Sequence, residues 1–288
     1  MATKQKTHKL STNHPVIAAL LYAYIGIFAI EFLCSLINFP IGLLIPAYPQ
    51  ECGIVGVLAA GLLALLYYRL HFKPEYEGFL KGGDLKTGFL LILFQVGYTL
   101  LVGVKDLLSG SVLHVPTAVS LSVALMAGFL EEIAFRGYLI STLMRKWKRD
   151  ESKVLTAALI SGAAFGLIHA MNITAGAPVG ITIFQVIVTA MIGVFLAAVY
   201  LRSGNLLPVA AGHFFHDVIS YVISDPDSSE QLIMSGSLEW SDLLEAAFAV
   251  VLAVIGICLL REEKRGEILA IWQKKWADPA VTQESGNE

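Results

Sequence analysis

Two adjacent carboxylates and an arginine interrupt an apolar stretch of the sequence and are the side chains best suited to chemistry. Glu131, Glu132 and Arg136 lie within residues 125–138, where nearly every other residue is apolar or small. At helical spacing Glu132 and Arg136 form an i,i+4 pair, whereas Glu131 is rotated away from the arginine. The spacing therefore predicts an ion pair within the helix that leaves Glu131 without a counter-ion close to it in the chain.

Histidines recur inside two later apolar stretches, Phe165-Gly-Leu-Ile-His169 and His213-Phe-Phe-His-Asp217. A lone histidine in such a helix often makes only a helix–helix hydrogen bond, so neither stretch is informative by itself. At 1.5 Å per residue, however, Glu131, His169 and His213 lie roughly 21, 24 and 17 Å from the basic residues that end their segments. The three side chains are therefore predicted to lie in one layer.

A layer of carboxylates and imidazoles is suited to the activation of a water molecule. Glu131, which has no ion-pair partner in its own helix, fits the role of general base, and His169 could hold the same water or carry a proton. His213 and Asp217, one helical turn apart, could stabilise an oxyanion or orient each other. No serine or cysteine stands beside them in a nucleophile motif, so covalent catalysis is the weaker hypothesis.

The elements that position these residues are membrane helices. The chain is 56% hydrophobic and 15% charged, which is more apolar surface than a soluble core of this length can use. Apolar runs of about 20 residues without two-residue alternation indicate helices rather than barrel strands. The sequence predicts an all-α polytopic membrane protein with about eight transmembrane helices. Their predicted ranges are 15–38, 53–70, 88–108, 116–146, 154–172, 179–201, 205–224 and 242–260.

The connectors between these helices predict the orientation of the chain. Every second connector carries Lys or Arg, whereas those at 40–52, 110–116, 172–178 and 225–242 contain neither. By the positive-inside rule, both termini are predicted to be cytoplasmic. We expect an integral, multi-pass protein of the plasma membrane whose first helix is retained rather than cleaved as a signal peptide.

The predicted organisation is a cytoplasmic N-terminal segment at 1–14, one membrane domain at 15–260 and a cytoplasmic tail at 261–288. The tail mixes apolar and basic residues over 261–276 and is expected to lie on the membrane surface as an amphipathic helix. Its apolar residues are Ile268, Leu269, Ile271, Trp272 and Trp276.

Three motifs resemble the signatures of the CAAX protease and bacteriocin-processing (Abi) family of membrane endopeptidases. They lie in the family's order on predicted helices four, five and seven, and the resemblance covers about residues 120–221. The motifs are Glu131-Glu132-x-x-x-Arg136, Phe165-x-x-x-His169 and Asn205-Leu-Leu-Pro-x-x-x-x-His213-x-x-x-Asp217. The resemblance implies hydrolysis of a peptide bond in a membrane-associated or prenylated substrate.

The resemblance also implies a role for each motif residue. In this family the first glutamate and the first histidine activate the attacking water, which corresponds to Glu131 and His169. The later histidine and an Asn or Asp form the oxyanion site, which corresponds to His213 and Asp217. The last position is often Asn in the eukaryotic prenyl-protein branch, and an ionised Asp cannot donate a hydrogen bond, so here it must be protonated or hold an imidazole. Structural support is expected from Glu132, Arg136 and Phe165.

Other functions remain open at this stage. A zinc metalloprotease could use Glu131, His169 and His213 as ligands, although there is no HExxH motif and the mechanism expected here needs no cofactor. A proton-coupled transporter would also carry buried Glu, His and Asp, but the sequence shows no inverted repeat. A non-catalytic bacteriocin-immunity or scaffold protein would retain the same motifs. The expected partners are membrane lipid and a membrane-associated protein or peptide, with no nucleic acid; the sequence leaves the oligomeric state open.

Overall fold

A computed structural model of the protein describes residues 10–11, 13–45, 48, 53–72, 76–223 and 240–276. Within these ranges the regular structure is helical and contains no strand, which confirms the all-α prediction. Most of the predicted N-terminal segment, the 225–239 part of the last connector and the end of the tail lie outside the described residues. The helices are α1 (Pro15–Leu44), α2 (Ile54–Phe72), α3 (Leu85–Leu108), α4 (Ala118–Trp147), α5 (Ser152–Ile168), α6 (Val179–Ser203), α7 (Leu207–Ile223), α8 (Trp240–Leu259) and α9 (Glu262–Lys275).

Six of these helices are long and apolar enough to cross a membrane, and the protein is an integral multi-pass membrane protein. The six are α1, α3, α4, α5 with its 3₁₀ extension, α6 and α8. Two further apolar helices are shorter, over Ile54–Leu70 and Leu207–Ile223, and they correspond to the second and seventh predicted spans. Eight spans and cytoplasmic termini therefore remain predictions.

Helix α4 carries the glutamate pair and departs from α-helical geometry along its centre. Thr117 caps its start by accepting a hydrogen bond from the backbone N–H of Ser120 at 3.1 Å. The segments Met126–Glu131 and Ile133–Ile140 are π-helical, with hydrogen bonds over five residues instead of four. Such wide turns are rare and are frequent at functional sites. Periodicity at 3.6 residues per turn did not predict them.

Close helix contacts bring α5, α6 and α7 together around α4. A Cβ atom at Gly162 would lie 2.8 Å from the carbonyl oxygen of Ala190, and one at Gly166 would collide with the carbonyl oxygen of Val186, both on α6. Gly162 and Gly166, four residues apart on α5, thus allow α6 to approach α5 closely. A Cβ at Gly128 would lie 2.6 Å from Phe214 Cα, so the π-helical part of α4 lies directly against α7.

The basic connectors meet at one end of the bundle. The backbone N–H of Asp84 donates to the carbonyl of Ser203 at 2.7 Å, and Gln273 donates to the carbonyl of Lys148 at 3.0 Å. Near the opposite end, Lys105 lies 3.7 Å from Glu245. The segments predicted to share the cytoplasmic side are thus neighbours in the fold.

Helix α9 corrects the prediction that the tail lies on the lipid surface. Ile268, Leu269 and Trp272 are buried against protein, and the Trp272 indole N–H donates to the carbonyl of Leu201 at 3.1 Å. The physical reason is that carbonyls at the end of a helix lack partners within it, and α9 supplies donors to them. An apolar helix face fits lipid and protein equally well, so the sequence pattern could not distinguish the two.

Candidate functional site

The site is built around the buried ion pair of Glu132 and Arg136. Arg136 Nη1 donates to Glu132 Oε1 at 2.8 Å, and both side chains are fully buried. Arg136 Nη2 donates to the carbonyl of Gly193 on α6 at 3.2 Å, and the guanidinium carbon lies 4.4 Å from the centre of the Phe165 ring. The predicted i,i+4 pair is confirmed, and its charge is further balanced by a carbonyl and an aromatic face.

The same carboxylate oxygen reaches the third motif. His213 Nδ1 lies 2.9 Å from Glu132 Oε1. Arg136 on α4 and His213 on α7 therefore share this one acceptor oxygen. A carboxylate accepts hydrogen bonds, so Nδ1 carries the proton and the imidazole is held in one orientation. The sequence predicted only a supporting role for Glu132 and did not predict this contact.

His213 also faces Asp217 on its other side. His213 Nε2 lies 3.7 Å from Asp217 Oδ2, which is ion-pair distance but longer than a hydrogen bond. Asp217 has 20% of its side chain exposed, whereas Glu132 has none. His213 and Asp217, predicted as an i,i+4 pair on α7, are therefore neighbours. His213 Nε2 makes no hydrogen bond to Asp217 and can bond a third group placed between the two side chains.

His169 lies where α5 ends and a short 3₁₀ turn, His169–Ile173, begins. Its Nδ1 lies 3.0 Å from the carbonyl oxygen of Phe165. A carbonyl can only accept, so Nδ1 donates and Nε2 of the neutral ring keeps its lone pair for another donor. The Phe165 ring packs edge-on against both histidines, with ring centres 5.3 Å apart for His169 and 5.6 Å apart for His213.

Glu131 stands next to this cluster and differs from its neighbour in the chain. Its side chain is half-buried, and among the described residues it makes no hydrogen bond or ion pair, whereas Glu132 is bonded to two cationic or potentially cationic groups. The structure therefore brings Glu132, Arg136, His213 and Asp217 into direct contact and leaves Glu131 as the carboxylate that is available to a ligand.

A catalytic zinc ion would need about three of these side chains as ligands. Within the part of the chain that the structure describes, no group of three or more His, Cys, Asp or Glu side chains is placed to hold a metal ion. The three ligands expected for a zinc enzyme, Glu131, His169 and His213, thus do not converge as a ligand set.

Two features of the site were not predicted from the sequence. The carbonyl of Gly193 accepts from Arg136, and a Cβ at Gly193 would lie 2.9 Å from Gly162 Cα, so α5 and α6 pack together beside the arginine. The only signal in the sequence was the small residue itself. The bond between Glu132 and His213 spans 81 positions of the chain and has no local signal.

Residues 113–219 match the family model described as type II CAAX prenyl endopeptidase Rce1-like. These residues contain all the predicted site positions, and the resemblance to the CAAX protease family is confirmed over them. Over these residues the chain is similar to membrane endopeptidases of the CAAX-protease type. No curated protein matches the chain significantly.

Proposed function

We propose that this chain, on the strength of its Rce1-like segment, is an intramembrane endopeptidase that hydrolyses a peptide bond with a water activated by Glu131. The observation that carries this proposal is the difference in bonding between the two glutamates. Glu132 is neutralised by Arg136 and bonded to His213, whereas Glu131 has no partner among the described residues. A carboxylate without a partner in a buried layer can act as a general base.

The proposed reaction needs no covalent intermediate. Glu131 takes a proton from the water, and the resulting hydroxide adds to the carbonyl carbon of the peptide bond. The carbonyl oxygen becomes an oxyanion, and the protonated Glu131 then delivers its proton to the nitrogen as the C–N bond breaks. His169 Nε2, whose lone pair is free when Nδ1 donates to the Phe165 carbonyl, accepts a second hydrogen bond from the water.

The oxyanion is assigned to His213. With Nδ1 held by Glu132, protonated Nε2 can donate to an oxyanion, and a donor aimed at developing charge contributes strongly to catalysis in a site that excludes water. An ionised Asp217 cannot donate. Its place near Nε2 supports the role of holding the imidazole in position.

The proposed substrate is a membrane-associated protein or peptide, and the proposed location is the plasma membrane. Because the matching family model describes CAAX prenyl endopeptidases, a prenylated peptide ending in a CAAX motif is the first substrate to test. The family match and the burial of the site in apolar helices both favour a substrate that partitions into lipid.

The test is cleavage by purified protein in lipid nanodiscs. Wild type and Glu131→Gln are incubated with prenylated CAAX peptides and with a library of membrane-inserted peptides, and products are identified by mass spectrometry. Glu31→Gln, the same chemical change at an exposed carboxylate of α1, is the matched control. We expect cleavage by wild type and the control but not by Glu131→Gln. Equal cleavage by all three proteins, or none by any of them, would contradict the proposal.

A further inference from the structure

The side chain of Lys275, at the end of α9, is buried without a carboxylate in contact. Only 1% of the residue is exposed, and no ion pair to it occurs among the described residues. Its Nζ donates instead to two backbone carbonyls, those of Gly78 at 2.8 Å and Lys81 at 2.5 Å, and lies 5.3 Å from the centre of the Tyr76 ring. Burying an ammonium group is costly, so such an arrangement requires that its ligands be held in place.

The ligands of Lys275 belong to the connector before α3, residues 76–84, which we call the brace loop. Lys275 Nζ donates to carbonyls on both sides of Phe79, and the backbone N–H of Glu77 donates to the Lys275 carbonyl at 2.9 Å. The loop is thus attached to α9 by three hydrogen bonds. Because the ammonium bonds carbonyls flanking Phe79, it fixes where that aromatic side chain lies.

Phe79 packs against α4, the helix that carries the two glutamates. A Cβ at Gly137 would lie 2.9 Å from the end of the Phe79 ring, and the ring centres of Phe79 and Tyr138 are 5.8 Å apart. Gly137 lies five residues after Glu132, which is one step of π-helical hydrogen bonding. Tyr76, at the start of the loop, places its hydroxyl 2.9 Å from Ser141 Oγ, directly after the π-helical segment.

The brace loop also holds the start of α7, the helix that carries His213. The backbone N–H of Leu206 donates to the carbonyl of Phe79 at 3.0 Å, and Asn205 Nδ2 donates to the carbonyl of Leu80 at 3.1 Å. One loop therefore contacts the two helices whose side chains meet in the bond between Glu132 and His213. Displacing the loop would remove a common support from both.

We propose that Lys275 is a positioning residue for peptide hydrolysis, holding the brace loop so that Phe79 fixes the π-helical part of α4 and the start of α7. The activity part of this inference rests on the proposed function, whereas the positioning part does not. Helix α9 is then a component of the catalytic apparatus although it lies outside the residues that match the family model.

The test combines hydrogen–deuterium exchange with kinetics on four full-length variants. Lys275→Met removes the ammonium and keeps an unbranched chain, whereas Lys275→Arg keeps a cation. Phe79→Ala removes the aromatic ring that packs against α4 but leaves the lysine in place. Lys274→Met is the matched control, because Lys274 is exposed and is the neighbouring residue.

We expect Lys275→Met, which removes the hydrogen bonds from Nζ, and Phe79→Ala, which removes the packed ring, to raise exchange in peptides covering residues 133–144 by about tenfold or more. Exchange in α5 and α6 should be unchanged, and kcat should fall by a similar factor with little change in KM. Lys275→Arg should recover part of both, and Lys274→Met should behave as wild type.

Two results would overturn the inference. In one, Lys275→Met would release residues 262–275 while exchange over 133–144 stayed as in wild type, so that the lysine holds only the tail. In the other, Lys274→Met would match Lys275→Met, so that charge rather than the buried contact matters. If wild type cleaves no peptide, the proposed function fails, and the exchange measurement still decides whether Lys275 positions α4.

Discussion

Glu132 Oε1 accepts from His213 Nδ1 at 2.9 Å and from Arg136 Nη1 at 2.8 Å, so one oxygen joins the first and third motifs. Its second oxygen has no partner among the described residues. This shared acceptor makes Glu132 the structural centre of the site and separates its role from that of Glu131.

The two glutamates should therefore fail in different ways. Glu131→Gln should lower activity by about 10²–10⁴-fold, the range for loss of a general base, with the melting temperature nearly unchanged. Glu132→Gln leaves Arg136 buried without its charge partner, which costs about 3–5 kcal/mol, so folding yield and melting temperature should fall first. Fluorescence-detected thermal melting beside a cleavage assay measures both. Equal melting and equal inactivity would show that the roles are wrongly divided.

Asp217→Asn separates a glutamate-activated water from zinc chemistry. An amide keeps the shape of the position and a group that can hold the imidazole, so considerable activity should survive and should be insensitive to chelators. Zinc chemistry predicts that activity and metal are lost together, because an amide is a poor ligand beside a carboxylate. Metal content by mass spectrometry and rates with and without chelator are the measurements. His216→Gln is the histidine control, since the His216 ring bonds Thr99 on α3.

Cysteine labelling tests the orientation of the helices. After replacement of Cys34, Cys52 and Cys258, single cysteines at positions 81, 148 and 274 should react with an impermeant reagent from the cytoplasmic side, and cysteines at 110 and 172 from the outside. Positions 148 and 274 should agree with each other, because Gln273 bonds the Lys148 carbonyl. Cytoplasmic labelling at 172 would overturn the eight-span count. The predicted outer connector at 225–239 lies outside the described residues.

The contribution of Lys275 to stability should rise with pH. Burial lowers the pKa of Lys275 to about 8, an effect that nearby Glu77 partly offsets. Between that value and the ordinary lysine pKa near 10.5, the unfolded chain binds more protons than the folded one, so raising the pH stabilises the fold. The difference in melting temperature between wild type and Lys275→Met should grow from pH 8 to pH 10. A difference that shrinks over this range would show that the ammonium form is the one preferred by the fold.

Local patterns were sufficient to predict the helices, the ion pair and the positions of the motifs. Glu132 and Arg136 are four residues apart, and the helix itself brings them together. The predicted fourth helix, 116–146, agrees closely with Ala118–Trp147, because apolar length and the basic residues after it both define its end.

Features that depend on packing between distant segments were not predictable. The contact of His213 with Glu132 depends on how α7 lies against α4, and many arrangements satisfy the same hydropathy. The placement of α9 on protein instead of lipid has the same cause. The π-helical turns of α4 have no local signal either, because no residue type in 126–140 requires hydrogen bonding over five residues.

The π-helical turns make the site depend on the number of residues as well as on their identity. Between Ala118 and Trp147 the helix begins and ends with α-helical geometry and takes up its additional residues in the middle. A deletion of one residue in that middle could be absorbed by relaxing a wide turn, which would leave both flanks in place but rotate the glutamates relative to His213. In evolution, single-residue insertions and deletions would then be tolerated along the outer parts of this helix. Between Met126 and Ile140 they would be selected against, even where the inserted or deleted residue is only alanine or leucine.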